Sequence, residues 1–147
     1  MKKIIFICTG NTCRSPMAEL LLKHKLKEKG VTGYRVSSAG LGATEGHKIS
    51  KNSMLALKSV GIKSYSFKSK QATLEMLSKA DLIITMTLSH KAVLAECKNV
   101  CTFNEITCLG EVIDPYGQDL SVYMQTMEML SKGCDIIIEK LIEIGEE

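Results

Sequence analysis

Eight residues near the amino terminus, Cys8-Thr9-Gly10-Asn11-Thr12-Cys13-Arg14-Ser15, bring thiols, a guanidinium and hydroxyls into one short segment. The segment follows the apolar run Ile4-Ile5-Phe6-Ile7 and precedes Pro16, so it reads as a loop between a buried strand and a helix N-terminus. Such a place offers free backbone N–H groups and the positive end of a helix dipole, which together attract anions. Gly10 and Asn11 are residue types that tolerate positive φ, so the loop can curl until its N–H groups converge. The dipole and Arg14 both favour Cys8 as a thiolate, the form that acts as a nucleophile. Arg14 offers a planar fork for two phosphoryl oxygens, and the Ser15 hydroxyl can donate back to the sulfur. The run from Cys8 to Ser15, with Thr9, Gly10, Asn11, Thr12 and Cys13 between the thiol and Arg14, is therefore expected to cradle a phosphate. The alternative is a buried cysteine packed as a small hydrophobe at a strand end. Cys-x5-Arg is a weak pattern alone; its position before a Ser-Pro helix start is what gives it weight.

Phosphoryl transfer to sulfur also requires an acid for the departing group, then a base to activate water. Asp114, in the run Asp114-Pro115-Tyr116-Gly117, can do both. Taken by itself this run is an ordinary turn sequence; beside the Cys8 loop it is the candidate acid.

These groups need elements to position them. Short β-rich runs alternate with longer helical stretches, the pattern of an α/β domain with a parallel sheet. Strands are expected at 3–7, 34–38, 81–85 and 100–103. Helices are expected from about Pro16 to Lys29 with Ser15 as cap, from Ser50 to Val60, over 73–79 and 88–96, and from Leu120 to about Ile144 with Gly133 as a weak point. Residues 104–119 read as loop. Four parallel strands with right-handed crossovers follow, and ligand sites in such sheets lie at the carboxyl ends of the strands. Both candidate segments leave strand ends there.

A chain of 147 residues suits a single domain spanning 1–147. Its hydrophobic content of 45% and charged content of 24% are those of a globular protein rather than a disordered one. The net charge of +3 is mild and its basic residues are scattered, which argues against nucleic acid as a partner. No apolar run approaches the roughly 20 residues of a membrane span or the roughly 7–15 of an export signal. A cytoplasmic location with six free thiols is therefore the expectation.

With these residues in place, the chain resembles the low-molecular-weight protein tyrosine phosphatase family. The match comprises Cys8-x5-Arg14-Ser15-Pro16, Ser38-Ala39-Gly40, Asp81 and Asp114-Pro115-Tyr116-Gly117. The resemblance spans essentially the whole chain and implies a single-domain, Rossmann-like three-layer sandwich with strand order 2-1-3-4. It implies a phosphocysteine mechanism on phosphorylated protein substrates, with Cys8 as nucleophile, Arg14 as clamp and Asp114 as acid. It further implies that Asn11, Ser15 and Ser38 hold the loop in shape, that Tyr116 forms a pocket wall, and that no metal or organic cofactor is used. A monomer is the default, though the sequence leaves the oligomeric state open.

Tyrosine-specific members usually carry an aliphatic residue where this chain has Thr12, whereas a bacterial branch, the protein arginine phosphatases, carries Thr. A hydroxyl there can hydrogen-bond a guanidinium group or orient water, or Thr12 can be a β-branched filler. Many eukaryotic members have two adjacent tyrosines where this chain has Tyr116 and then Gly117, a less aromatic rim. Phe67 stands where members often have His, which puts one outer support of the loop in question. Arsenate reductases share this fold but need cysteines near the end of strand three, and 85–90 contain none. Cys97, Cys101 and Cys108 lack the tight pairing of a zinc site. Cys13 is either a small buried support or the partner of Cys8 in a reversible disulfide. His24 and His90 read as solvated helix residues, His47 as a surface-loop residue, Lys23, Lys25, Lys27 and Lys29 as a solvated face, and Met124, Met127 and Met129 as core.

Overall fold

A computed structural model describes residues 1–146; Glu147, the last position of the expected domain, lies outside the described residues. The chain runs β1 (Lys2–Cys8), α1 (Arg14–Glu28), β2 (Tyr34–Gly40), α2 (Lys51–Lys58), α3 (Leu74–Ser78), β3 (Leu82–Thr85), α4 (Leu88–Val93), β4 (Val100–Thr102), α5 (Phe103–Thr107) and α6 (Leu120–Glu146). The four strands form one sheet in the order β2-β1-β3-β4, and every pairing is parallel. Among the described residues no helix is long and apolar enough to cross a membrane.

β1 is central and alternates its side chains between two cores, as strand geometry requires. Ile4 and Phe6 enter the larger core with Met17, Leu22, Leu57, Leu130 and Ile137. Ile5 and Ile7 enter the smaller core with Leu77, Ile83 and Leu94. Register pairs Cys8 with Gly40 and Ile7 with Thr85, so the carboxyl ends of the three longer strands finish together and the loops leaving them share one edge.

Several boundaries differ from the sequence expectation. The fourth strand stops at Thr102 because Phe103 begins α5, inside the segment read as loop. A reciprocal capping box starts that helix: Glu105 N–H donates to Thr102 Oγ1 at 2.9 Å, and Thr102 N–H donates to Glu105 Oε1 at 2.8 Å. Cys108 ends it in the left-handed conformation at φ 61°. The helix after β3 ends at Val93 rather than 96, and α1 begins at Arg14 rather than Pro16.

α6 passes through Gly133 without a break. The glycine is there for space: the fully buried Phe103 ring lies where a Cβ at 133 would sit. Gly133→Ala is therefore expected to destabilise the fold, although alanine is the better helix former. Overpacking of this kind costs about 1–3 kcal/mol, against a helix propensity gain of roughly 1 kcal/mol. A fall in the urea midpoint with unchanged slope checks it.

Candidate active site

The Cys8 loop is hung on the end of β2. Leu41 N–H donates to Cys8 O at 3.0 Å and Gly42 N–H to Thr9 O at 2.9 Å. Gly40 makes this approach possible, because a Cβ there would collide with the Thr9 carbonyl oxygen and press on Ala43.

Asn11 fixes the curl. It is fully buried and takes φ 54°, a conformation asparagine tolerates better than most residues. Its amide nitrogen donates to Ser15 Oγ and to Ser38 Oγ, each at 2.9 Å, and its oxygen accepts the Lys70 N–H at 2.9 Å. Ser38 in turn donates to Glu19 Oε1 at 2.7 Å, and the other Glu19 oxygen pairs with Lys23 at 2.7 Å. With Asn11 donating into Ser15 Oγ, the Ser15 hydrogen is available to Cys8 Sγ, which lies 2.7 Å away. A hydrogen bond of that sense points a donor at the sulfur, the arrangement that a departing or attacking sulfur can use.

Ser15 consequently does not cap α1, contrary to the sequence expectation. The helix begins two residues earlier, with Cys13 at the N-cap and no side-chain cap bond. The hydroxyl is occupied with Asn11 and Cys8, and the first-turn N–H groups are left without a side-chain partner. Orphan donors at a helix N-terminus are what an anion requires.

Arg14 is 5% exposed and held from three sides. Nη1 donates to Val112 O at 3.0 Å, and Nη2 lies 3.5 Å from Thr9 Oγ1 and 3.6 Å from Asp114 Oδ2. Asp114 is half exposed, and its other oxygen accepts the Tyr116 N–H at 3.1 Å. The 114–117 run is thus a real turn that also brings a carboxylate to the guanidinium, so the two readings of it coincide.

Cys8, Thr9, Gly10, Thr12, Cys13, Arg14, Asp114 and Tyr116 together line a hollow of about 210 Å³. Asn11, Ser15 and Ser38 form the frame behind it. A larger hollow of about 520 Å³, whose lining includes Lys3, Ile5, Arg35 and Met76, contains no thiol. Tyr116 is 77% exposed, a rim residue more than a wall. Cys13 Sγ lies 3.4 Å from Ser50 Oγ and 3.6 Å from Tyr123 Oη, and both Cys8 and Cys13 are free thiols. Burial and then the bond to Cys13 push the Tyr123 hydroxyl up to about 12. Among the described residues no group of three or more His, Cys, Asp or Glu is arranged to hold a metal ion.

Phe67 is buried, and the loop network is bounded by the Lys70 backbone N–H on Asn11 and by Glu19 on Ser38. Lys25 is not part of a solvated face, since it pairs with Asp135 at 3.0 Å. His90, read as solvated, is buried and bonds to Thr9 Oγ1 at 3.0 Å. Burial first, then the Arg14 charge, lowers its pKa from the ordinary 6.5. Nothing in the local sequence marks His90; it meets Thr9 across 81 positions, and only the β1–β3 pairing brings them together.

The model of the low molecular weight phosphotyrosine protein phosphatase family matches residues 3–145. A protein-arginine-phosphatase of Bacillus subtilis (strain 168) is 37% identical over 136 residues, covering 88% of this chain and 89% of its own. Among solved structures, a low molecular weight protein tyrosine phosphatase from T. tengcongensis is 39% identical with TM-score 0.90, covering 95% of this chain and 99% of its own. A cysteine-to-serine mutant of the YwlE arginine phosphatase, solved with a phosphorylated active-site serine, is 34% identical with TM-score 0.90 and covers 95% of each chain.

Proposed function

Because the chain belongs to the low molecular weight phosphotyrosine protein phosphatase family, we propose that it is a cysteine-dependent protein phosphatase that acts on phosphoarginine. The carrying observation is the single small hollow in which Cys8, Arg14 and Asp114 meet, with Thr12 on its lining. Cys8 sulfur attacks phosphorus in line as the bond to the leaving nitrogen breaks, and Asp114 delivers its proton to that nitrogen. Arg14 and the first-turn N–H groups hold the equatorial oxygens, where charge is spread in the transition state. Ser15 supports the sulfur before attack and again as it leaves. Asp114, now a carboxylate, then takes a proton from water that attacks the phosphocysteine, which releases phosphate and restores the thiolate. The phosphorylated serine in the YwlE mutant supports a covalent intermediate at the corresponding position.

Thr12 and Tyr116 support arginine over tyrosine. A pocket with a hydroxyl on its lining rewards a ligand that satisfies it, and a single exposed ring offers little stacking for a phenyl group. Phosphotyrosine is the second reading, favoured by the relatives named for it. Peptides carrying either group, assayed with wild type and Thr12→Ile, decide between them. Wild type is expected to prefer phosphoarginine, and the substitution to move the ratio of kcat/KM values toward phosphotyrosine by about tenfold or more. A wild type that prefers phosphotyrosine and is indifferent to the swap refutes the arginine assignment. The free thiols support a reducing, cytoplasmic setting, with phosphorylated proteins as the partners.

A further inference from the structure

Both ring nitrogens of His90 are engaged. Nε2 lies 3.0 Å from Thr9 Oγ1, and Nδ1 lies 3.0 Å from Thr87 Oγ1. Thr9 Oγ1 also lies within reach of Arg14 Nη2 at 3.5 Å. Thr87 Oγ1 accepts the His90 backbone N–H at 3.3 Å and meets Ser89 Oγ at 2.9 Å. A neutral imidazole has one donor and one acceptor nitrogen, so two hydrogen arrangements compete.

With the hydrogen on Nδ1, Thr9 donates to Nε2, Nδ1–H donates to Thr87, and Thr87 donates to Ser89. The hydrogens of Thr9, Nδ1 and Thr87 then each have an acceptor within the protein, the exposed Ser89 hydroxyl is left to solvent, and Thr9 Oγ1 keeps its lone pairs for the guanidinium. With the hydrogen on Nε2, Thr9 Oγ1 must accept from Nε2–H and from Arg14 Nη2 together, and its own hydrogen, at an exposed residue, turns away to solvent. We infer that His90, as its Nδ1–H tautomer, is a positioning residue that orients the Thr9 hydroxyl and, through it, the Arg14 phosphate clamp.

The surroundings keep the ring neutral. Burial and the Arg14 charge on α1 disfavour its protonation, and they outrank the opposing charges of Asp114 and Glu111 from the loop beyond α5. Protonation would place a donor on Nε2, so Thr9 would have to turn its own hydrogen away. Thr9 and Arg14 both line the hollow that holds Cys8, so a loosened Thr9 reaches the clamp directly. Misplacement of a positioned group by about 1 Å costs on the order of 10²-fold, and a clamp that has lost one of its three contacts should lose part of that.

The kinetic half of this inference rests on the phosphatase reading, and the tautomer half does not. Long-range proton–nitrogen NMR of the wild-type ring at neutral pH is expected to find Nδ1 protonated and Nε2 bare; a protonated Nε2 overturns the inference. Two near-isosteric variants then separate positioning from packing. In His90→Gln the amide oxygen falls near the Nε2 position and still accepts from Thr9. In His90→Asn the amide falls near Nδ1, keeps the Thr87 contact and abandons Thr9. The Gln variant is expected within about threefold of wild-type kcat/KM and the Asn variant about tenfold below it, chiefly through KM. Equal activity of the Asn variant and wild type, or equal losses in both variants, overturns it. If wild type hydrolyses neither phosphopeptide, the functional reading fails, while the NMR result still decides the role of His90.

Discussion

Cys8→Ser is expected to abolish turnover, lowering kcat by about 10⁴-fold or more, while a phosphate analogue such as vanadate still binds. A serine hydroxyl at this position is a far weaker nucleophile than a thiolate, because a hydroxyl holds its proton far more tightly than a thiol does. It is also a poor leaving group for the second step, so any phosphoserine formed would persist. The rest of the cradle does not depend on the sulfur: Asn11 is held by Ser15, Ser38 and Lys70, and Arg14 by Val112. Loss of chemistry with retained binding therefore separates an enzyme from a module that only binds phosphate. Steady-state kinetics beside analogue titration reads both quantities, and hydrolysis at the wild-type rate would remove Cys8 from the mechanism.

Asp114→Asn is expected to lower kcat by about 10²–10³-fold toward phosphoarginine or phosphotyrosine peptides, within the range typical of a lost general acid–base. The turn should survive, since the asparagine oxygen can still accept the Tyr116 N–H as the aspartate does at 3.1 Å. What is lost is the proton for the leaving group and the carboxylate 3.6 Å from Arg14. The defect should shrink toward an activated aryl phosphate, whose leaving group departs without protonation. With such a substrate the second step becomes limiting, and a burst of leaving group equal to the enzyme concentration should precede slow turnover. A defect of the same size for every leaving group would assign Asp114 to binding instead of proton transfer.

Much of this site is legible in the sequence because its chemistry is local. The order strand, Cys-x5-Arg, Ser-Pro, helix places thiol, guanidinium and helix N-terminus together whatever the remaining fold does. The alternation of Ile4, Ile5, Phe6 and Ile7 between two cores is what a central parallel strand requires. The Thr102-x-x-Glu105 capping box was also readable, but it lies under a segment whose Gly110, Pro115 and Gly117 suggest loop, and that signal wins on composition. Other features are tertiary in origin. Gly133 looks like a helix fault until the Phe103 ring is seen to occupy its side-chain space. Ser15 looks like an N-cap until Asn11 and Cys8 compete for its hydroxyl. His90 and Glu19 carry no local mark, because their partners arrive through strand pairing and helix packing.

In the proposed reaction the phosphoryl group passes through the sulfur of Cys8. The most direct measurement is to mix the protein with a phosphorylated peptide, denature it within the first turnover and locate the phosphate by mass spectrometry. One phosphoryl group is expected, on Cys8, and it disappears as the substrate is consumed. A phosphoryl group on any other residue, or rapid turnover with Cys8 unmodified throughout, would contradict it.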